Sequence, residues 1–77
     1  MSDPAVTVPP TQTPRTQRIL STAAEIATGM GHNYVGTEHL LIALARDGDA
    51  IATQAIAKLV DPRQVETQVL EIMASKS

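Results

Sequence analysis

Helix-start and helix-stop signals cut this chain into four short segments, and no segment alternates with the period of a strand. Thr13-Pro14 is the first signal: threonine suits the N-cap, and proline suits the first helical position because its missing N–H would be unpaired there. Ile19, Leu20, Ala23, Ile26, Ala27 and Met30 follow at three- and four-residue intervals, which places them on one helix face. Gly31 can then take the positive φ of a helix end. Gly36 permits a tight turn, and Thr37 can cap the second helix, whose stripe is Leu40, Leu41, Leu44 and Ala45, with Ile42 and Ala43 beside it. Arg46-Asp47-Gly48-Asp49 ends that helix, and either aspartate can cap a third over about residues 50–59. Ile51, Ala52, Ala55, Ile56 and Leu59 are its expected buried face. Asp61-Pro62 repeats the cap-then-proline signal, Gln64 is placed to complete a capping box, and Val65, Val69, Leu70, Ile72 and Met73 follow. Lys76 ends the fourth helix, where a cation suits the dipole. The expected class is all-α.

Composition restricts how such helices can pack. One tyrosine, Tyr34, is the whole aromatic content, so the core must be built from Ile, Leu, Val, Ala and Met. Aliphatic cores of this kind suit closely approaching, alanine-rich helices but lack large anchors. There is no cysteine, so neither a disulfide nor a thiolate-bound metal can brace the chain. With 77 residues there is room for one domain, which buries only about 60% of its unfolded surface. Residues 1–12, with three of the five prolines, read as a flexible tail, and residues 13–75 as the domain.

Charge and hydropathy set the expected partners. The net charge is −2, and the six Lys and Arg are scattered, unlike a phosphate-tracking surface. No apolar run approaches the roughly 20 residues that span a bilayer, and the N-terminus lacks a signal-peptide pattern. A cytoplasmic protein that binds neither nucleic acid nor membrane is expected.

Three stretches carry a family resemblance: Thr13-Pro14-Arg15, Gly31-His32-Asn33-Tyr34-Val35-Gly36-Thr37-Glu38-His39-Leu40-Leu41, and Arg46-Asp47-Gly48-Asp49-Ala50-Ile51-Ala52. Together they resemble one Clp N-terminal repeat, in particular the second repeat of the N-domains of ClpC-type AAA+ unfoldases. The similarity runs from about Thr13 to Met73. It implies a four-helix unit, half of the usual eight-helix domain of two repeats related by pseudo-twofold symmetry. It also implies a role in receiving protein substrates and adaptors, without a cofactor. In ClpC-type domains the Thr-Glu of the Gly-Thr-Glu-His motif lies in a pocket for phosphorylated arginine, and here the matching residues are Thr37 and Glu38. The chain departs from the pattern in having one repeat, no Walker A sequence and no opening phenylalanine.

Each candidate residue also has a plain structural reading. Glu38 can complement the positive end of the helix dipole, and Thr37 can cap, or the pair can grip a ligand that is both anionic and guanidinium-bearing. Arg15 and Arg18, one turn apart, are solvated surface or support for an anionic ligand. His32 and His39 are too few for a metal site without further ligands, and His39 is expected to be packed or hydrogen-bonded so as to fix the connection. No serine lies in a nucleophile motif with an oriented histidine, so no catalytic residue is assigned. The second helix is apolar almost all round, and such a helix is normally central. In a single repeat the missing partner surface is expected from a second copy, related by a twofold axis that imitates the tandem arrangement. A non-enzymatic protein-binding module is therefore expected, with a structural interaction protein docking through apolar helix faces onto a Clp ATPase or another helical partner as the alternative.

Overall fold

A computed structural model describes residues 10–76 of the chain. Four helices follow one another: α1 (Pro14–Gly29), α2 (Thr37–Arg46), α3 (Ile51–Ala57) and α4 (Pro62–Ser75). Among the described residues there is no strand, and no helix is long and apolar enough to cross a membrane. Most of the expected tail, residues 1–9, lies outside the described residues, and residues 10–12 are exposed and irregular.

The ends of α1 form as the local chemistry requires. Thr13 accepts a hydrogen bond from the Thr16 N–H at its Oγ1, 3.1 Å away, and Pro14 begins the helix. At the other end Gly31 adopts φ +79°. The His32 N–H donates to the Ala27 carbonyl and the Gly31 N–H to the Thr28 carbonyl, at 2.9 and 3.0 Å. These paired bonds are a Schellman motif, which satisfies the orphan carbonyls and turns the chain sharply.

The apolar second helix takes the central place. It packs against α1, α3 and α4, while α1 and α4 do not pack on each other. Ile42 is fully buried, and Ala43 and Ala45 are buried beside it. Ile19, Ala23, Ala43 and Ala50 form one cluster, extended by Ile26, Leu40 and Leu44. The alanines allow close approach of α1 and α2, which is how a core without Phe or Trp is filled. Burying Ile42 completely contributes about 1.5–3 kcal/mol relative to leaving it in water.

Two helices bury less than their patterns suggest. On α3 the expected Ile51 and Leu59 are 78% and 89% exposed, and Ala52 and Ala55 are exposed too. The side turned inward carries Ala50, Thr53 and the half-buried Ile56. Thr53 wins that place because its hydroxyl donates to the Leu44 carbonyl at the end of α2, which also accepts the Asp47 N–H. Neither aspartate side chain caps α3, whose N-cap is Ala50; Asp47 instead accepts from the Asp49 N–H at 3.0 Å. Asp61 does cap α4, through the Arg63 N–H at 3.0 Å, but the Gln64 side chain adds no return bond. No residue of α4 is buried. Its joins to α2 are a partly covered apolar stripe and a bidentate pair, Arg46 Nε to Glu66 Oε1 at 2.9 Å and Arg46 Nη2 to Glu66 Oε2 at 2.8 Å.

Candidate functional site

The Schellman turn delivers His32 beside the start of α2. There His32 Nδ1 lies 2.8 Å from His39 Nε2, and His39 Nδ1 accepts the Gly36 N–H at 2.8 Å. A backbone N–H can only donate, so His39 Nδ1 carries no proton. Its proton is on Nε2, which donates a hydrogen bond to His32 Nδ1. Both rings are then neutral, with their tautomers fixed by one main-chain donor. Tyr34 stacks on His32 with ring centroids 5.0 Å apart and planes 9° from parallel. It meets His39 edge-on at 5.4 Å. His39 is completely buried. Metal ligation at His39 Nε2 would require displacing the proton that this bond uses.

This geometry corrects the expected cap. Gly36, not Thr37, is the N-cap of α2, and Thr37 is the first helical residue. The Thr37 side chain is exposed and makes no hydrogen bond. Its capping role passes to His39, three residues after the cap, which occupies the place of the acidic or amide residue in a capping box. The Gly-x-x-His spacing was the available signal, obscured because histidine is not a usual member of that motif.

Glu38 is half-buried in the first turn of α2. Its carboxylate folds back over Gly36 into the space a side chain there would fill. It has no hydrogen bond or ion pair among the described residues. The Thr37 and Glu38 N–H groups likewise find no acceptor. Thr37 and Glu38 line one end of an open cleft of about 390 Å³, whose wall is Leu41, Val69, Ile72 and Met73. Through Leu41, Val69 and Ile72 it runs into a longer apolar groove between α2 and α4 of about 570 Å³. The site thus offers a free carboxylate, two free main-chain donors and an apolar wall. It could bind a cation on an aliphatic stem and, beside it, an anion.

Arg15 and Arg18 are not brought to this site. Arg18 reaches across to the C-terminal end of α2, with Nε and Nη2 at 3.2 and 2.9 Å from Asp47 Oδ2. That end is about 15 Å along the helix axis from Thr37, at 1.5 Å per residue. The Arg18 hydrogen bond holds the Asp47 carboxyl below its ordinary range, with a smaller contribution from Arg15. Arg18 serves the α1–α2 join and Arg15 is exposed without a hydrogen bond or ion pair among the described residues, whereas the expected support for an anion would need them a helix length away.

Fold and junction define a class: a four-helix repeat with a central apolar helix, opened by a glycine–histidine cap that presents a free glutamate. The chain belongs to the Clp repeat (R) N-terminal domain family, whose model matches residues 11–77. It is 39% identical over 66 residues to the chloroplastic chaperone protein ClpC1 of Oryza sativa subsp. japonica, covering 84% of this chain and 7% of that protein. It shares 39% identity, again over 66 residues, with the chloroplastic Clp protease ATP-binding subunit ClpA homolog of Brassica napus (84% and 8% covered). With the ClpA homolog of Guillardia theta it shares 44% identity over 62 residues (79% and 8%). The chain therefore spans less than a tenth of the length of these relatives. No solved structure matches it.

Proposed function

We propose that the chain is a non-enzymatic protein-interaction module of the Clp N-domain type, whose Thr37–Glu38 site receives phosphorylated arginine on protein substrates or adaptors. The observation that carries this reading is the Glu38 carboxylate, half-buried yet without a partner. Such a group, open to the cleft, is available to pair with the cation of a ligand. A phosphorylated guanidinium carries a cation for Glu38 and an anion for the free N–H groups of Thr37 and Glu38. Its aliphatic stem fits the wall of Leu41, Val69 and Ile72. By holding such substrates the module would modulate Clp-dependent proteolysis. We keep the cytoplasm as its compartment, and neither nucleic acid nor membrane as a partner. The test is fluorescence polarisation with a phosphoarginine peptide and its unmodified twin. Binding that weakens with salt and is lost in Glu38→Ala, with the helical circular dichroism unchanged, is the expected result. Equal binding by Glu38→Ala would overturn the reading.

A specific observation favours a second reading. The α4 stripe leaves Ile72 and Leu70 53% and 38% exposed, and Ile72 lines a groove that nothing among the described residues covers. In this reading the repeat is a structural interaction protein that docks onto a helical partner, either a Clp ATPase or its own second copy. We favour a homodimer that stands in for the tandem repeat. Ile42 is no part of such a surface, because it is fully buried; Ile72 is the residue to charge. Light scattering that shows a monomer at micromolar concentration would exclude the dimer.

A further inference from the structure

The proposed ligand carboxylate does not stand by itself. Four consecutive contacts lead to it from the end of α1: the Schellman turn sets His32, His32 Nδ1 accepts a hydrogen bond from His39 Nε2–H, His39 holds the Gly36 N–H, and bare Gly36 leaves room for Glu38. We infer that His39 is a positioning residue for the Glu38 carboxylate and that Gly36 is the residue that admits it. This inference rests on Glu38 being the ligand carboxylate.

Two features separate positioning from ordinary capping. The first concerns Gly36, which sits at φ −104° and ψ 177°. Any residue adopts that backbone conformation, so the turn itself does not require glycine. What a Cβ there would meet is the Glu38 carboxyl, the end of a flexible side chain that would have to leave its present place. The glycine therefore acts on a side chain and not on the chain path. The second concerns His39. A residue that only capped the helix would need one acceptor atom, whereas His39 is buried and uses both ring nitrogens. Its second bond ties the N-cap to the turn that ends α1. Gly36 is thereby fixed relative to α1, and with it the first turn of α2, from which Glu38 projects.

Besides each other, the titratable group that meets these rings is Tyr34 on the connection, while Glu38 lies against Gly36. From α1 and α4 no hydrogen bond or ion pair reaches either ring among the described residues. The device is self-contained at the junction.

The experiment compares Gly36→Ala, His39→Leu and His39→Gln with the parent chain. Gln at this position offers both functions, an acceptor for the N-cap N–H, as in a capping box, and an amide N–H donor for His32 Nδ1. Without ligand, nitrogen NMR of the parent should show His39 unprotonated at Nδ1 and protonated at Nε2. The carbon resonance of the Glu38 carboxyl should move in Gly36→Ala and His39→Leu and stay near its parent position in His39→Gln. With the phosphoarginine peptide, Gly36→Ala should bind about tenfold or more weakly while remaining folded, in line with loss of a charged hydrogen bond. His39→Gln should retain most of the affinity. His39→Leu is read only if its circular dichroism shows it folded, and the other two variants decide without it. A folded Gly36→Ala with an unmoved Glu38 resonance and parental affinity would overturn the inference. If the resonance moves but Glu38→Ala binds the peptide as the parent does, positioning stands and the phosphoarginine reading falls.

Discussion

The α1–α2 junction and helix α4 are built from different residue types and finish in opposite states. At the junction each ring nitrogen that faces the protein has a partner, the sole aromatic residue is stacked, and His39 is sealed from water. Along α4 an apolar stripe is half covered and no residue is buried. The junction is closed by directional bonds that local sequence supplies. The α4 face needs apolar area, and area must come from another element. The contrast separates a part that specifies itself from a part that stays half covered among the described residues.

The largest expected effect lies in the helix that joins the two regions. Ile42→Ala should lower stability by about 2–5 kcal/mol, because it removes a fully buried side chain from a small core. Chemical denaturation measures this, and a change below about 1 kcal/mol would mean that α2 is not the centre. At the junction, Gly31→Ala should cost about 1–2 kcal/mol by forcing a Cβ into the left-handed region. If His32 then leaves His39, the Glu38 resonance should move as well.

The salt bridge between α2 and α4 gives a smaller, pH-dependent effect. The Arg46 hydrogen bond holds the Glu66 carboxyl below its ordinary value of 4.5 in the folded chain. Stability from this pair is thus present above that value and lost as pH falls through the folded one. Because Arg46 is half-exposed, Glu66→Gln should cost less than about 1 kcal/mol at pH 7. The gap between variant and parent should close in acid. A gap that persisted below the folded value would assign the effect to packing.

Ile72→Lys sharpens the comparison most with the least effect on the monomer. At 53% exposure its replacement should change protomer stability by no more than about 0.5 kcal/mol. Self-association, read by light scattering, should nevertheless be abolished. A dimer that survives the charge would place the interface elsewhere.

The sequence carried the helices well where a local signal was complete. Thr13-Pro14, Gly31 and Asp61-Pro62 act within a few residues, and all three punctuate the chain as their chemistry requires. It carried the central position of α2 through apolar residues on every side. Faces were harder to read. Ile51 fits the helical period of α3 but lies outside, since the hydroxyl of Thr53 donates to the Leu44 carbonyl of α2, and Leu59 falls beyond the end of α3. That carbonyl belongs to another element, and no spacing within α3 announces it.

The opening of α2 shows the same division in one place. Sequence alone determined that a helix starts there, that Gly31 ends the one before it, and that a glutamate follows in the first turn. Only the tertiary structure decided that Gly36 is the cap, that His39 holds it, and that Arg18 serves the far end of the helix. Caps and turns depend on neighbours along the chain, so residue order encodes them directly. The two-ring bond, the space above Gly36 and the partnerless Glu38 depend on where α1 and α2 meet. That meeting is set by the packing of alanines and Ile19 across two helices.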